Sequence, residues 1–133
     1  MQVSPSLSFR GDCEDAFRFY ERLLGGAIVA MLTYGKSPLA AQVPEEWRGK
    51  ILHATLAVGD YEILGADVPP GEYEAPAGFA ILIDADDPVD ANYLFDQLSQ
   101  QGTVKVPMQK TFWASRYGSV VDRFGIPWEI NCE

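Results

Sequence analysis

Apolar side chains recur at helical spacing in two stretches and at alternate positions in short runs around them. In the first stretch Ala16, Phe19, Tyr20 and Leu23 share one face. Asp12 stands where an N-cap belongs, Asp15 lies near the positive helix end, and Gly25-Gly26 closes the run. In the second, Ala91, Leu94, Phe95 and Leu98 form the apolar face. Here Asp87 is the N-cap, Pro88 the first helical residue, Asp90 a first-turn acid and Gly102 the stop. The two helices share the pattern Ala-x-x-[Phe/Leu]-[Tyr/Phe]-x-x-Leu, at residues 16–23 and again at 91–98.

A strand-like run precedes each helix, at 7–9 and 79–83, and three strand candidates follow each. After the first helix they fall at 27–34, 51–58 and 61–64, with Gly59-Asp60 as a tight turn between the last two. After the second they fall at 103–108, 116–121 and 126–130, the last two separated by residues 122–125. Strand, helix and three strands, twice in the same order, predict an α+β chain of two βαβββ modules related by pseudo-two-fold symmetry. The expected organisation is one domain over 1–133, with modules at about 1–68 and 78–133 and a Pro/Gly-rich linker over 69–77. Residues 35–49, with Pro38 and Pro44, read as a long loop inserted in the first module, with room for a short helix.

Composition narrows the function classes. At 133 residues with 47% hydrophobic side chains, the chain is long enough for one substantial core and too apolar for disorder. A net charge of −9 repels phosphate backbones and anionic lipid, which argues against nucleic-acid and membrane-surface roles. No apolar run approaches the ~20 residues of a membrane span, and the polar start is unlike a signal peptide. Cys13 and Cys132 lack metal or CxxC spacing and read as thiols in a reducing cytoplasm. His53 is the one histidine, so a site needing two imidazoles within the chain is excluded.

Several segments resemble one family. They are Leu7-Ser8-Phe9-x-Gly11-x-Cys13-Glu14-x-Ala16-Phe17-x-Phe19-Tyr20, Leu24-Gly25-Gly26 and Ile51-Leu52-His53-Ala54. The closing run Thr111-Phe112-Trp113-Ala114 … Gly118 … Asp122-x-Phe124-Gly125-x-x-Trp128-Glu129-Ile130-Asn131 is the most specific. With the repeated module, these resemble the vicinal oxygen chelate superfamily of glyoxalases, bleomycin-resistance proteins and dioxygenases, and within it the PhnB-like branch. The resemblance implies sheets curled into half-cups around a ligand cavity, and commonly a homodimer. Metal-using members of the superfamily place four inward ligands on the first and last strands of the modules. At the matching positions this chain has Pro5, the apolar run Ile63-Leu64-Gly65, Phe79 and Glu129, of which Glu129 alone is a ligand type. The expectation is therefore no cofactor and no metal in the usual site. The alternative is a metal-dependent glyoxalase, isomerase or dioxygenase using displaced ligands such as His53 and Glu62. The methyltransferase name attached to parts of the branch fits poorly, because a methyl-donor site needs a Gly-rich strand-to-helix turn and Gly25-Gly26 ends a helix.

The candidate residues follow from strand alternation and from this resemblance. Glu129 lies between Trp128 and Ile130 and so belongs to the opposite face, as a hydrogen-bond acceptor or general base on the cup floor. Burial beside Trp113 and Phe79 would disfavour its charge unless a donor, a cation or the ligand answers it, with His53 and Arg116 as the available partners. His53 and Thr55 share the face opposite Leu52, Ala54 and Leu56, where they would line the cavity or simply bond within the sheet. Phe112 and Trp113 are candidates to close the cavity mouth around an apolar or flat ligand. Arg116 and Tyr117 would add a charge and a hydroxyl. Asp84, Asp86, Asp87 and Asp90 fail the EF-hand pattern, since Val89 and Phe95 fall at its sixth and twelfth positions; helix capping explains them better.

Overall fold

A computed structural model describes residues 1–133. It divides into two compact units, Met1–Glu74 and Ala75–Glu133. The first unit runs β1 (Ser6–Phe9), α1 (Cys13–Leu24), β2 (Ala27–Thr33), β3 (Ile51–Val58) and β4 (Tyr61–Asp67). The second runs β5 (Ile81–Asp84), α2 (Pro88–Ser99), β6 (Thr103–Gln109), β7 (Arg116–Val121) and β8 (Pro127–Cys132). The sheet orders are β1-β4-β3-β2 and β5-β8-β7-β6, so the two units share one βαβββ topology. In each sheet the first strand pairs parallel with the last, and the other pairs are antiparallel. The fold is thus the α+β arrangement of two similar modules that the repeat predicts.

The first core forms where α1 packs on its sheet. Phe9, Ala16, Phe17, Tyr20, Ala54 and Leu56 are fully buried there. Phe9 and Phe17 meet edge to face at 6.0 Å between ring centroids. Gly65 makes this possible, because a Cβ on it would lie 2.7 Å from the Phe17 ring. The predicted loop over 35–49 carries three single turns of 3-10 helix, at Tyr34–Lys36, Ala40–Gln42 and Glu45–Trp47.

Capping of α1 differs from the sequence expectation. The Asp12 side chain makes no cap hydrogen bond. Asp67, at the end of β4, supplies the acceptor instead. Its Oδ1 accepts from the backbone N–H groups of Gly11 (2.9 Å) and Cys13 (3.0 Å), and its Oδ2 from that of Ile51 (2.8 Å). The Tyr34 hydroxyl donates to the Asp67 carbonyl at 2.7 Å. One buried carboxylate therefore ties the helix start to β3 and β4. Burial, and then the charges of Asp67, Asp12 and Glu14, push the Cys13 thiol far above its ordinary range, so it is not a nucleophile. Cys13 and Cys132 are both buried and unbridged.

In the second unit Asp87 caps α2 as predicted, accepting from the Asp90 N–H at 2.8 Å, with Pro88 opening the helix. The Asp87 charge is also the main cause that raises the Asp90 carboxyl, ahead of its own burial. The helix ends at Ser99, ahead of the predicted stop, and Gln101 takes the left-handed turn at φ 59°. Gly102 instead permits a close approach, since a Cβ there would lie 2.5 Å from the Val121 carbonyl. Gly26 stands in the same relation to the Ala57 carbonyl, also at 2.5 Å, so the repeat extends to a close helix-to-strand junction. The strand expected from Phe79 begins at Ile81, which leaves Phe79 ahead of it and half-exposed.

Buried Asp122 organises the β7–β8 turn. Its Oδ1 accepts from the N–H groups of Phe124 (2.9 Å) and Ile126 (3.0 Å), and its Oδ2 from the Trp128 indole Nε1–H (2.8 Å). No helix of the chain is long and apolar enough to cross a membrane.

Candidate functional site

Strand β8 sorts its side chains cleanly between two faces. Trp128, Ile130 and Cys132 are buried, while Pro127, Glu129 and Asn131 are partly exposed. The buried set lies on the α2 side, as does Gly118 on β7, where a Cβ would lie 2.8 Å from the Phe95 ring. Register then places two rows on the opposite, open face. One row is Leu82, Glu129 and Ser119; the next is Asp84, Asn131 and Tyr117.

Glu129 and Tyr117 are brought together on this face. Burial, and then the nearby Glu129 carboxylate, raise the Tyr117 hydroxyl above its ordinary range. The Tyr117 hydroxyl thus lies within the influence of the Glu129 carboxylate. The Tyr117 ring meets Trp113 at 5.4 Å between centroids, and Trp113 meets Phe112 at 4.8 Å, both edge to face. A short turn presents these two aromatics. Thr111 N–H donates to the Ala114 carbonyl (3.0 Å), and Ala114 N–H to Thr111 Oγ1 (3.1 Å). Ser115 fixes the turn to β8 by donating from its N–H (2.8 Å) and its hydroxyl (3.0 Å) to the Cys132 carbonyl. Phe112 is 97% exposed and Trp113 51% exposed, so neither serves as core. Asn131 donates from Nδ2 to Asp84 Oδ1 at 3.0 Å, which leaves its Oδ1 buried without a partner.

Arg116 is not part of this group. Alternation sends it to the face opposite Tyr117, where its Nε donates to Asn92 Oδ1 of α2 at 3.0 Å. Of the partners the sequence offered Glu129, Arg116 is turned away to Asn92. In the first unit, His53 is exposed and its Nε2 lies 3.2 Å from the Thr55 hydroxyl, so the two share a face and a hydrogen bond. Glu62 accepts from Gln2 Nε2 at 2.7 Å instead of turning to His53. Phe79 has no part in the aromatic series on the open face.

Two buried carboxylates, Asp67 and Asp122, have hydrogen-bonding roles not foreseen from the sequence. Asp67 had a legible signal, because Ile63, Gly65 and Asp67 continue one alternation beyond the predicted strand end. Asn131 likewise continues the set Pro127, Glu129, Asn131. No group of three or more His, Cys, Asp or Glu side chains lies close enough to hold a metal ion. Glu129's register neighbours are Leu82 and Ser119, which offer no second carboxylate or imidazole.

Comparison with known proteins agrees with the topology. The chain is 33% identical to Protein YjdN of Escherichia coli (strain K12), over 98% of this chain and 95% of that one. Protein PA1353 from Pseudomonas aeruginosa superposes with a TM-score of 0.91 at 40% identity, over 100% of this chain and 98% of that one. A Bacillus cereus structure described as a putative 3-demethylubiquinone-9 3-methyltransferase, PhnB protein, shares the fold with a TM-score of 0.84. It is 21% identical, with full coverage of both chains. A family model matches residues 4–130, and the chain belongs to the Glyoxalase/Bleomycin resistance protein/Dioxygenase superfamily.

Proposed function

We propose that this chain is a small-molecule-binding protein of the PhnB-like type, and that its ligand is partly apolar. The ligand lies against the open face of the second sheet without a metal in the superfamily's usual position. One observation carries this reading. Glu129, with Tyr117 in the adjoining row, stands at the end of the aromatic series Tyr117, Trp113, Phe112, whose outer members are exposed. Exposed aromatics cost hydration free energy unless something covers them, and a carboxylate beside them orients what does. The unbridged cysteines support a reducing, cytoplasmic setting. His53 and Thr55 offer a second, smaller polar group in the first unit. A methyl-transfer reading gains no support, since Gly25, at φ 68°, closes α1 and opens no helix.

The test is a thermal-stability screen of small aromatic compounds, followed by titration of any that stabilises. Glu129→Gln keeps the shape and removes the charge. It is expected to weaken binding about ten- to a hundred-fold, the worth of a charge-assisted hydrogen bond. EDTA is expected to leave the wild-type affinity unchanged. Equal affinity of the variant, or binding abolished by EDTA, would overturn the proposal.

We also infer that the protein pairs with a second copy. Val89 and Tyr93 in one unit and Val29 and Tyr61 in the other are exposed apolar or aromatic side chains that self-association would cover. Light scattering at micromolar concentration is expected to give twice the 14.7 kDa chain mass. A single-chain mass would refute the pairing.

A further inference from the structure

We propose that the ligand on the open face of the second unit is a protonated nitrogen base on an aromatic body, such as an aryl amidine or arylalkylamine. This inference rests on the reading of that face as a binding site and adds the ligand's charge and chemistry.

Charge and hydrogen-bonding capacity on this face decide the ligand class. Arg18 is engaged by Glu14 on α1, and no Lys, Arg or His lies within ion-pair distance of Glu129. Arg116, the basic residue of β7, points to the other face and is engaged by Asn92. Tyr117 is the one hydroxyl of the adjoining row, whereas a carboxylate has about four acceptor sites. Glu129 thus keeps unused acceptor capacity and an unanswered charge.

The neighbouring row adds negative character. Asp84 is a second carboxylate there, and it is an acceptor only, so it fixes Asn131 with Nδ2 toward itself. Asn131 Oδ1 is then left buried without a donor, an uncompensated partial negative charge below the same face.

Such a surface discriminates among ligand classes. An anion meets two carboxylates and an unpaired carbonyl. A neutral aromatic would cover Glu129 and strip its water while offering no charge in return, which is costly. A cation answers the carboxylate, and its aromatic body lies on Trp113 and Phe112, whose π faces also attract positive charge. A flat amidinium additionally matches a carboxylate through two parallel N–H bonds.

Three probes of nearly one shape separate these cases: benzamidine, benzamide and benzoate. Each is titrated to millimolar concentration at pH 7 and low salt, and followed through the Trp113 indole N–H and the Tyr117 amide by NMR. Trp113→Phe assigns the indole signal among the three tryptophans. Benzamidine is expected to shift both signals saturably. Benzamide should bind at least about ten-fold more weakly, one charge-assisted hydrogen bond at 1.4 kcal/mol per decade, and benzoate not at all. Glu129→Gln should bring benzamidine down to the level of benzamide, with an unchanged melting temperature confirming the fold. Benzamide or benzoate binding as well as benzamidine would overturn the cation assignment while leaving the face as a binding site. Silence from all three would overturn the assignment and the site reading together.

Discussion

Asp67→Ala is expected to destabilise the protein more than any other single truncation in the first unit. The carboxylate is 1% exposed and accepts from three backbone N–H groups, those of Gly11, Cys13 and Ile51. Alanine leaves them without an acceptor. A buried donor left unsatisfied costs about 1–3 kcal/mol, so the loss is about 3–6 kcal/mol, a large share of the ~5–15 kcal/mol of a typical domain. Urea denaturation followed by circular dichroism measures it. Asp67→Asn is the informative companion. Its retained oxygen can still serve Gly11 and Cys13, but its NH₂ faces the Ile51 N–H, so an intermediate loss of about 1–3 kcal/mol is expected. A loss below about 1 kcal/mol for alanine would show that water replaces the carboxylate and that α1 does not depend on it.

The contrast between Asp12 and Asp67 marks what the sequence can and cannot reveal. Asp12 stands directly before the helix and matches the local capping pattern, yet the acceptor at the helix start arrives from β4, over fifty residues later. Local pattern identifies the need for a cap; the parallel pairing of β1 with β4 decides which residue meets it. For α2 the local signal suffices, because Asp87 and Asp90 are three apart and no tertiary competitor intervenes. The repeat was legible because amphipathic spacing and strand order are both properties of short windows. Gly65 and Gly118 were not legible as packing residues, since their partners Phe17 and Phe95 are remote in sequence.

The open face shows the same division. Alternation alone places Glu129 opposite Trp128 and Ile130, and it equally separates Arg116 from Tyr117. Reading those two neighbours as joint contributors to one site set residue type above strand geometry. Adjacent residues of a strand face opposite ways, so only one of them can accompany Glu129. Phe79 failed for a different reason: it lies before the first paired residue of β5, Ile81, beyond the reach of the ladder that would orient it.

Asp122→Ala is expected to have the largest effect in the second unit, and to reach Glu129 through the backbone. Asp122 is 3% exposed and joins the β7–β8 turn to the β8 indole. Its removal leaves the Phe124 and Ile126 N–H groups and the Trp128 Nε1–H short of an acceptor, a cost of about 3–5 kcal/mol. The two backbone bonds also fix the turn that leads into β8, and a one-residue slip there would carry Glu129 from the open face into the core. A double-mutant cycle with Trp128→Phe isolates the bond between the two side chains. A coupling of about 1.5–3 kcal/mol is expected for an indole donor on a buried carboxylate. The Trp113 and Tyr117 NMR signals report separately on the open face. They should shift in Asp122→Ala, where the turn is loosened, and stay in place in Trp128→Phe, where the turn's two backbone bonds to Asp122 persist. Coupling near zero would assign the Asp122 effect to the turn alone, and unmoved signals in Asp122→Ala would show that the register of β8 is held by its ladder with β5 and β7.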